Sequence, residues 1–157
     1  MLSLFFVVMI DNREVYTIIS NQETLARYKE YYFKKYPNRK SFLIDSPLHP
    51  SMNKWVRLQG FKQNALKQAW KEYVMWLVEE HGFNDLMIDK CHCEARFYRP
   101  TKRRYDLDNV AIKFFLDGAV ESNMIIDDSV ECLNPLILWG GYDKENPRME
   151  VDFIVSY

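Results

Sequence analysis

The chain has 157 residues, 48% of them hydrophobic, enough for one core and one domain and too few for several. Three cysteines argue against a disulfide framework, and a net charge of -1 lacks the basic excess that usually marks a nucleic-acid binder. No apolar run reaches the ~20 residues of a membrane span, so the expectation is a cytoplasmic protein with no membrane partner.

Residues 2–10 are apolar, but no basic residue precedes them and Asp11-Asn12-Arg13 cuts the run short. They read as a strand rather than a signal peptide, turning at Asp11-Asn12 into a second strand over 15–19. Ser20-Asn21-Gln22-Glu23 has the pattern of a capping box and opens a helix to about Lys35, which Tyr36-Pro37-Asn38 ends. Residues 42–45 suit a short strand, and 46–53, with Pro47 and Pro50, a loop. The spacing predicts a second long helix over 61–80, with Ala65, Leu66, Ala69, Trp70, Tyr73 and Leu77 on its inner stripe and His81-Gly82 closing it.

A strand over 86–98 follows, on which Cys91 and Cys93 share one face and His92 points to the other. That alternation favours buried free thiols over a zinc site. Residues 109–121 keep helical spacing, with Asp108 as a candidate N-cap. Residues 134–139 and 149–155 suggest a hairpin. The sum is a single α+β domain in which the long helices cover one face of a mixed sheet.

The chemistry concentrates in Lys102-Arg103-Arg104-Tyr105-Asp106-Leu107-Asp108-Asn109 and in the later pair Asp127-Asp128. In an extended segment Asp106 and Asp108 leave the same face of the backbone. Carboxylates held that close repel unless a cation sits between them, and hard oxygen ligands favour Mg²⁺ or Mn²⁺. Lys102, Arg103 and Arg104 would then hold a phosphate beside the metal. A helix over 109–121 rises roughly 18 Å, and the steps from Glu121 to Asp128 span at most roughly 23 Å. Asp128 therefore reaches Asp106 and Asp108 only if residues 122–127 run back along the helix. Asp117 falls on the opposite face, as an i,i+4 partner for Lys113. Lys113 itself is compatible with leaning toward a phosphate or with plain solvation.

Charge is unevenly spread. From Arg27 to Lys71 there are eleven Lys or Arg against two acids, a net +9; from Asp117 to Glu150 there are eight acids against two bases, a net -6. The basic half is the candidate phosphate track. Within it, Lys54-Trp55-Val56-Arg57 offers an aromatic for wedging against a base, or equally for packing on protein.

These residues resemble the RusA-type Holliday junction resolvases. Like them, the chain carries an Arg-rich stretch leading into Asp106-Leu107-Asp108-Asn109, then Lys113, Asp117-Gly118 and Asp127-Asp128 before Val130. Pro50-Ser51-Met52-Asn53 is similar to the family's Pro-Ser-x-Asn loop. The resemblance runs from about Ser41 to the C-terminus, which divides the chain into an extension over 1–40 and a nuclease region over 41–157. It implies a Mg²⁺-dependent endodeoxyribonuclease, a homodimer that cuts four-way junctions or other branched DNA. Asp106, Asp108 and Asp128 would bind the metal and Lys113 would assist. Lys102, Arg103, Arg104, Asn53, Lys54, Trp55 and Arg57 would contact DNA. One departure is that three residues separate Asn109 from Lys113 where the family pattern has two, turning Lys113 by about 100° on a regular helix. Two further readings stay open, a DNA-branch binder without cleavage and a metal phosphohydrolase of small nucleotides.

Overall fold

The computed structural model describes residues 7–156. Five strands form one mixed sheet in the order β1-β2-β5-β3-β4, with β1 Val7–Ile10, β2 Arg13–Ser20, β3 Cys91–Arg99, β4 Leu133–Tyr142 and β5 Arg148–Val155. Four helices accompany it: α1 Gln22–Lys35, α2 Met52–Val56, α3 Gly60–Glu80 and α4 Lys113–Glu121. The architecture is α+β. The expected first strand is present as β1, and its residues 2–6 lie outside the described residues.

Strand alternation decides which face is buried. Cys91, Cys93, Ala95 and Phe97 of β3 and Met149, Val151 and Phe153 of β5 point into the core, while His92, Glu94, Arg96, Glu150 and Asp152 occupy the other face. There Arg96 pairs with Asp152 at 2.8 Å, and Thr17 Oγ1 donates to Asp152 Oδ1 at 2.7 Å. His92 thus stands away from both thiols, which are free and buried. The helices close the opposite face through Trp70, Tyr73, Val74, Leu77 and Val78 of α3 and Phe114, Phe115 and Ala119 of α4. Asp11 and Asn12 both take positive φ, which lets a two-residue turn join β1 to β2.

Several local expectations are corrected. The helix α1 is capped by Asn21 with Thr24, one residue later than expected, because Ser20 is buried and its hydroxyl donates to Pro47 O. Residues 42–45 join no strand, and Ala65 is exposed rather than on the inner stripe. Strand β3 begins only at Cys91, since Asp85 and Met87 have positive φ and Ile88 makes a single bridge to Ile125. Strands β4 and β5 are no hairpin: β3 lies between them, parallel to β4 and antiparallel to β5. β2 and α1 belong to the same sheet and core as the rest. β2 pairs with β5 along its length, and Tyr28 stacks on Tyr73.

Candidate functional site

The parallel pair β3 and β4 requires a crossover, and residues 100–112 pass over the carboxyl end of β3 before α4 begins. Arg99 lies over the ring of Tyr105 at 4.3 Å. The Tyr105 hydroxyl in turn rests against β4 at Gly140, where a Cβ would come within 2.5 Å of it. The opposite wall is the proline-bounded loop before α2. Ser51 bridges Val110, Ala111 N donates to Pro50 O at 3.3 Å, and Asn53 N donates to Asn109 Oδ1 at 3.0 Å. The expected loop over 46–53 thus ends at Ser51, which caps α2, and the Pro50-Ser51-Met52-Asn53 and Asp106-Leu107-Asp108-Asn109 segments are hydrogen-bonded into one unit. Between them opens a cleft of about 440 Å³ whose lining includes Asp45, Lys54, Arg99, Asp106 and Asn109. His49 also lines it, but is buried, and burial pushes its imidazole down to about 3.

Asp106 is extended, with φ -100° and ψ 130°, and opens a 3-10 turn over Leu107–Asn109 that contains Asp108. The two carboxylates thus sit on a turn, not on the straight extended segment expected. Asp108 is not an N-cap either: Val110 is extended, and α4 starts at Lys113. The 100° rotation of Lys113 assumed a regular helix from Asn109, and the chain between Asn109 and Lys113 is not one. Asp106 and Asp108 are exposed, and among the described residues no hydrogen bond or salt bridge engages either side chain or that of Asp128.

After α4 the chain does turn back. Met124 and Ile125 are fully buried, Ile126 N donates to Ile88 O at 3.0 Å, and Asp128 returns close enough for its charge to act on Lys113. Lys113 Nζ donates to Asp117 Oδ1 at 2.9 Å, the expected i,i+4 pair. This bond and the charges of Asp117 and Asp128 outweigh partial burial and hold the ammonium above its ordinary pKa. Among the described residues, no three or more His, Cys, Asp or Glu side chains converge closely enough to hold a metal ion.

The remaining expected contacts separate into two groups. Lys102, Arg103 and Arg104 are exposed on the turn after β3, with Lys102 5.0 Å from the Tyr142 ring centre. Asn53, Lys54 and Arg57 are exposed on and beside α2, and Lys54 Nζ lies 3.6 Å from Asp45 across the cleft. Trp55 takes the packing alternative. Its ring packs edge-on against Phe114 at 5.4 Å and its indole N–H donates to Gln63 O, so it is no free stacking platform. Sequence reasoning did not single out His49, Arg99 or Lys67. The pair Pro47 and Pro50 around His49 was the available signal for the first, and Lys67 was one of many basic residues on a helix.

No helix among the described residues is long and apolar enough to cross a membrane. No family model and no curated protein matches the chain.

Proposed function

We propose that this chain is a magnesium-dependent endodeoxyribonuclease that cuts branched DNA, with the four-way junction as its substrate. The carrying observation is that Asp106-Leu107-Asp108-Asn109 and Pro50-Ser51-Met52-Asn53, 56 positions apart in sequence, are hydrogen-bonded into one cleft. This is also the activity of the RusA-type resolvases, which the chain resembles in those two motifs.

Asp106, Asp108 and Asp128 would hold the metal. They are hard oxygen donors, and none is spent on a salt bridge, whereas Asp117, Asp143 and Asp152 each have an Arg or Lys partner. Since the three carboxylates do not meet in a closed cage, ligation requires the 3-10 turn and the returning 127–128 segment to draw together. Mg²⁺ held there would supply Lewis-acid chemistry, polarising a phosphate and making a nearby water a better nucleophile. Lys54 and Arg99 on the cleft and Lys102, Arg103 and Arg104 beside it bind the DNA backbone. Asn109 holds the facing loop in register, and Lys113, at the first turn of α4, supplies charge against the developing phosphorane.

A junction needs two opposed cuts, and a two-fold homodimer provides two sites by symmetry. The edge strand β1, whose outer side meets no other strand among the described residues, supports that state, with Val7, Val8, Met9 and Ile10 each 42–58% exposed. An unpaired apolar edge is a ready surface for a second copy.

The test is a gel assay on a four-way junction, a linear duplex and a free nucleotide, with and without Mg²⁺. Symmetric, Mg²⁺-dependent cutting of the junction alone is the expected result. Binding without cutting would replace this reading with the branch-binding module, and hydrolysis of the free nucleotide alone with the phosphohydrolase.

A further inference from the structure

Helices α3 and α4 cross closely at Gly118, where an added Cβ would lie 2.6 Å from the side chain of Val74 and 3.2 Å from Lys71 O. The close crossing has a chemical consequence one residue earlier. Asp117 is drawn against α3, its side chain only 19% exposed, and Lys67 Nζ stands 3.8 Å from Asp117 Oδ2. The other oxygen, Oδ1, accepts from Lys113 Nζ at 2.9 Å. One carboxylate is therefore shared between two ammonium groups on different helices. They are not equivalent: the Lys113 side chain is 64% exposed and that of Lys67 36%. Asp117 Oδ2 is buried and has no hydrogen-bond partner, so Lys67 balances its charge without a hydrogen bond.

Both lysines cannot be released at once, because a carboxylate left unpaired in a half-buried site is costly. Lys113 is the more exposed of the two and lies at the free first turn of α4, so it is the one able to swing toward a phosphate. Asp117 then needs a remaining counter-charge, and Lys67 is in place to supply it.

We infer that Lys67 is a positioning residue for the proposed cleavage: it stays on Asp117 and so frees Lys113 to meet the scissile phosphate. This rests on the nuclease reading above, and it assigns α3 a part in that site which none of the motifs covers. Without Lys67, Asp117 has Lys113 as its only cation and holds it more tightly. Lys113 then reaches the phosphate less often. Binding of the DNA, carried by the exposed cations near the cleft, is little affected.

The experiment is a double-mutant cycle of Lys67→Met and Asp117→Asn, read by single-turnover cleavage rate and, separately, by junction affinity. Lys67→Met should slow cleavage about tenfold while affinity changes less than about twofold. In the Asp117→Asn background the same substitution should cost less than about twofold, since no carboxylate is left to balance, and Lys67→Arg should restore the parent rate. Equal losses in both backgrounds, no loss at all, or weakened affinity with an unchanged rate would overturn the inference and make Lys67 a solvated or DNA-contacting side chain. A readout without substrate keeps this separate from the nuclease reading: the Lys113 ammonium signal in NMR of the free protein should move in Lys67→Met. An unmoved signal removes the coupling even if junctions are cut. A moved signal with no cleavage by the parent protein keeps the coupling and removes the nuclease.

Discussion

His49 gives the clearest single-residue consequence. It is held edge-on against Trp70 at 4.4 Å, both ring nitrogens are buried without a hydrogen-bond partner, and burial takes it from an ordinary 6.5 to about 3. The folded protein therefore keeps the ring neutral where the unfolded chain would protonate it. The unfolded state binds the additional proton below about 6.5, so this residue's contribution is fully present above that pH and declines as pH falls toward about 3. Stability measured by urea unfolding should drop across that window, with a share from this ring on the order of a few kcal/mol. His49→Phe, which retains the aromatic packing, should flatten the slope. An unchanged slope in the variant would assign the acid sensitivity to other groups.

At the scale of elements, the crossing of α3 and α4 depends on Gly118. Gly118→Ala should destabilise the protein by about 1–3 kcal/mol, because Val74 and the backbone of Lys71 leave no room. Denaturant midpoints check this; an unchanged midpoint would mean the helices separate freely. Periodicity made α3 and the alternation of β3 legible in the sequence, and start and stop signals around 20–23 and 36–38 made α1 so. It did not reveal the order of the strands. Residues 134–139 and 149–155 look like a hairpin because they are close in sequence, yet β3 inserts between them, and that pairing depends on contacts more than 30 residues away. The start of α4 at Lys113, later than the spacing suggests, has a related cause. Residues 109–112 match helical spacing, but Asn109 and Val110 are committed to the loop at Ser51 and Asn53. That the chain turns back after α4 was legible because the apolar run Met124-Ile125-Ile126 had to pack on it, but the meeting of Asp128 with Asp106 and Asp108 was not, since among the described residues the three do not converge. Trp55 was not, since an aromatic in a basic stretch reads alike whether it packs or stacks.

For the whole molecule, the separation of charge matters more than the net value of -1. Affinity for a junction should fall steeply with salt as phosphate contacts release counterions. Charge reversal at Lys102 and Arg103, beside the cleft, should weaken binding more than reversal at Lys144 and Arg148. Arg148 is already paired with Asp143 at 2.8 Å and lies over the Tyr98 ring at 4.0 Å. Equal losses at both places, read by fluorescence anisotropy over a salt series, would show that the DNA path lies elsewhere.

The central claim, that the unpaired carboxylates serve metal-dependent cleavage, is tested most directly by Asp106→Asn, Asp108→Asn and Asp128→Asn assayed in Mg²⁺ for both junction binding and cutting. Each substitution should abolish cutting and leave binding in place, because it removes a metal donor without touching the basic residues. Robust cutting by any of the three would contradict the account and remove that residue from the site.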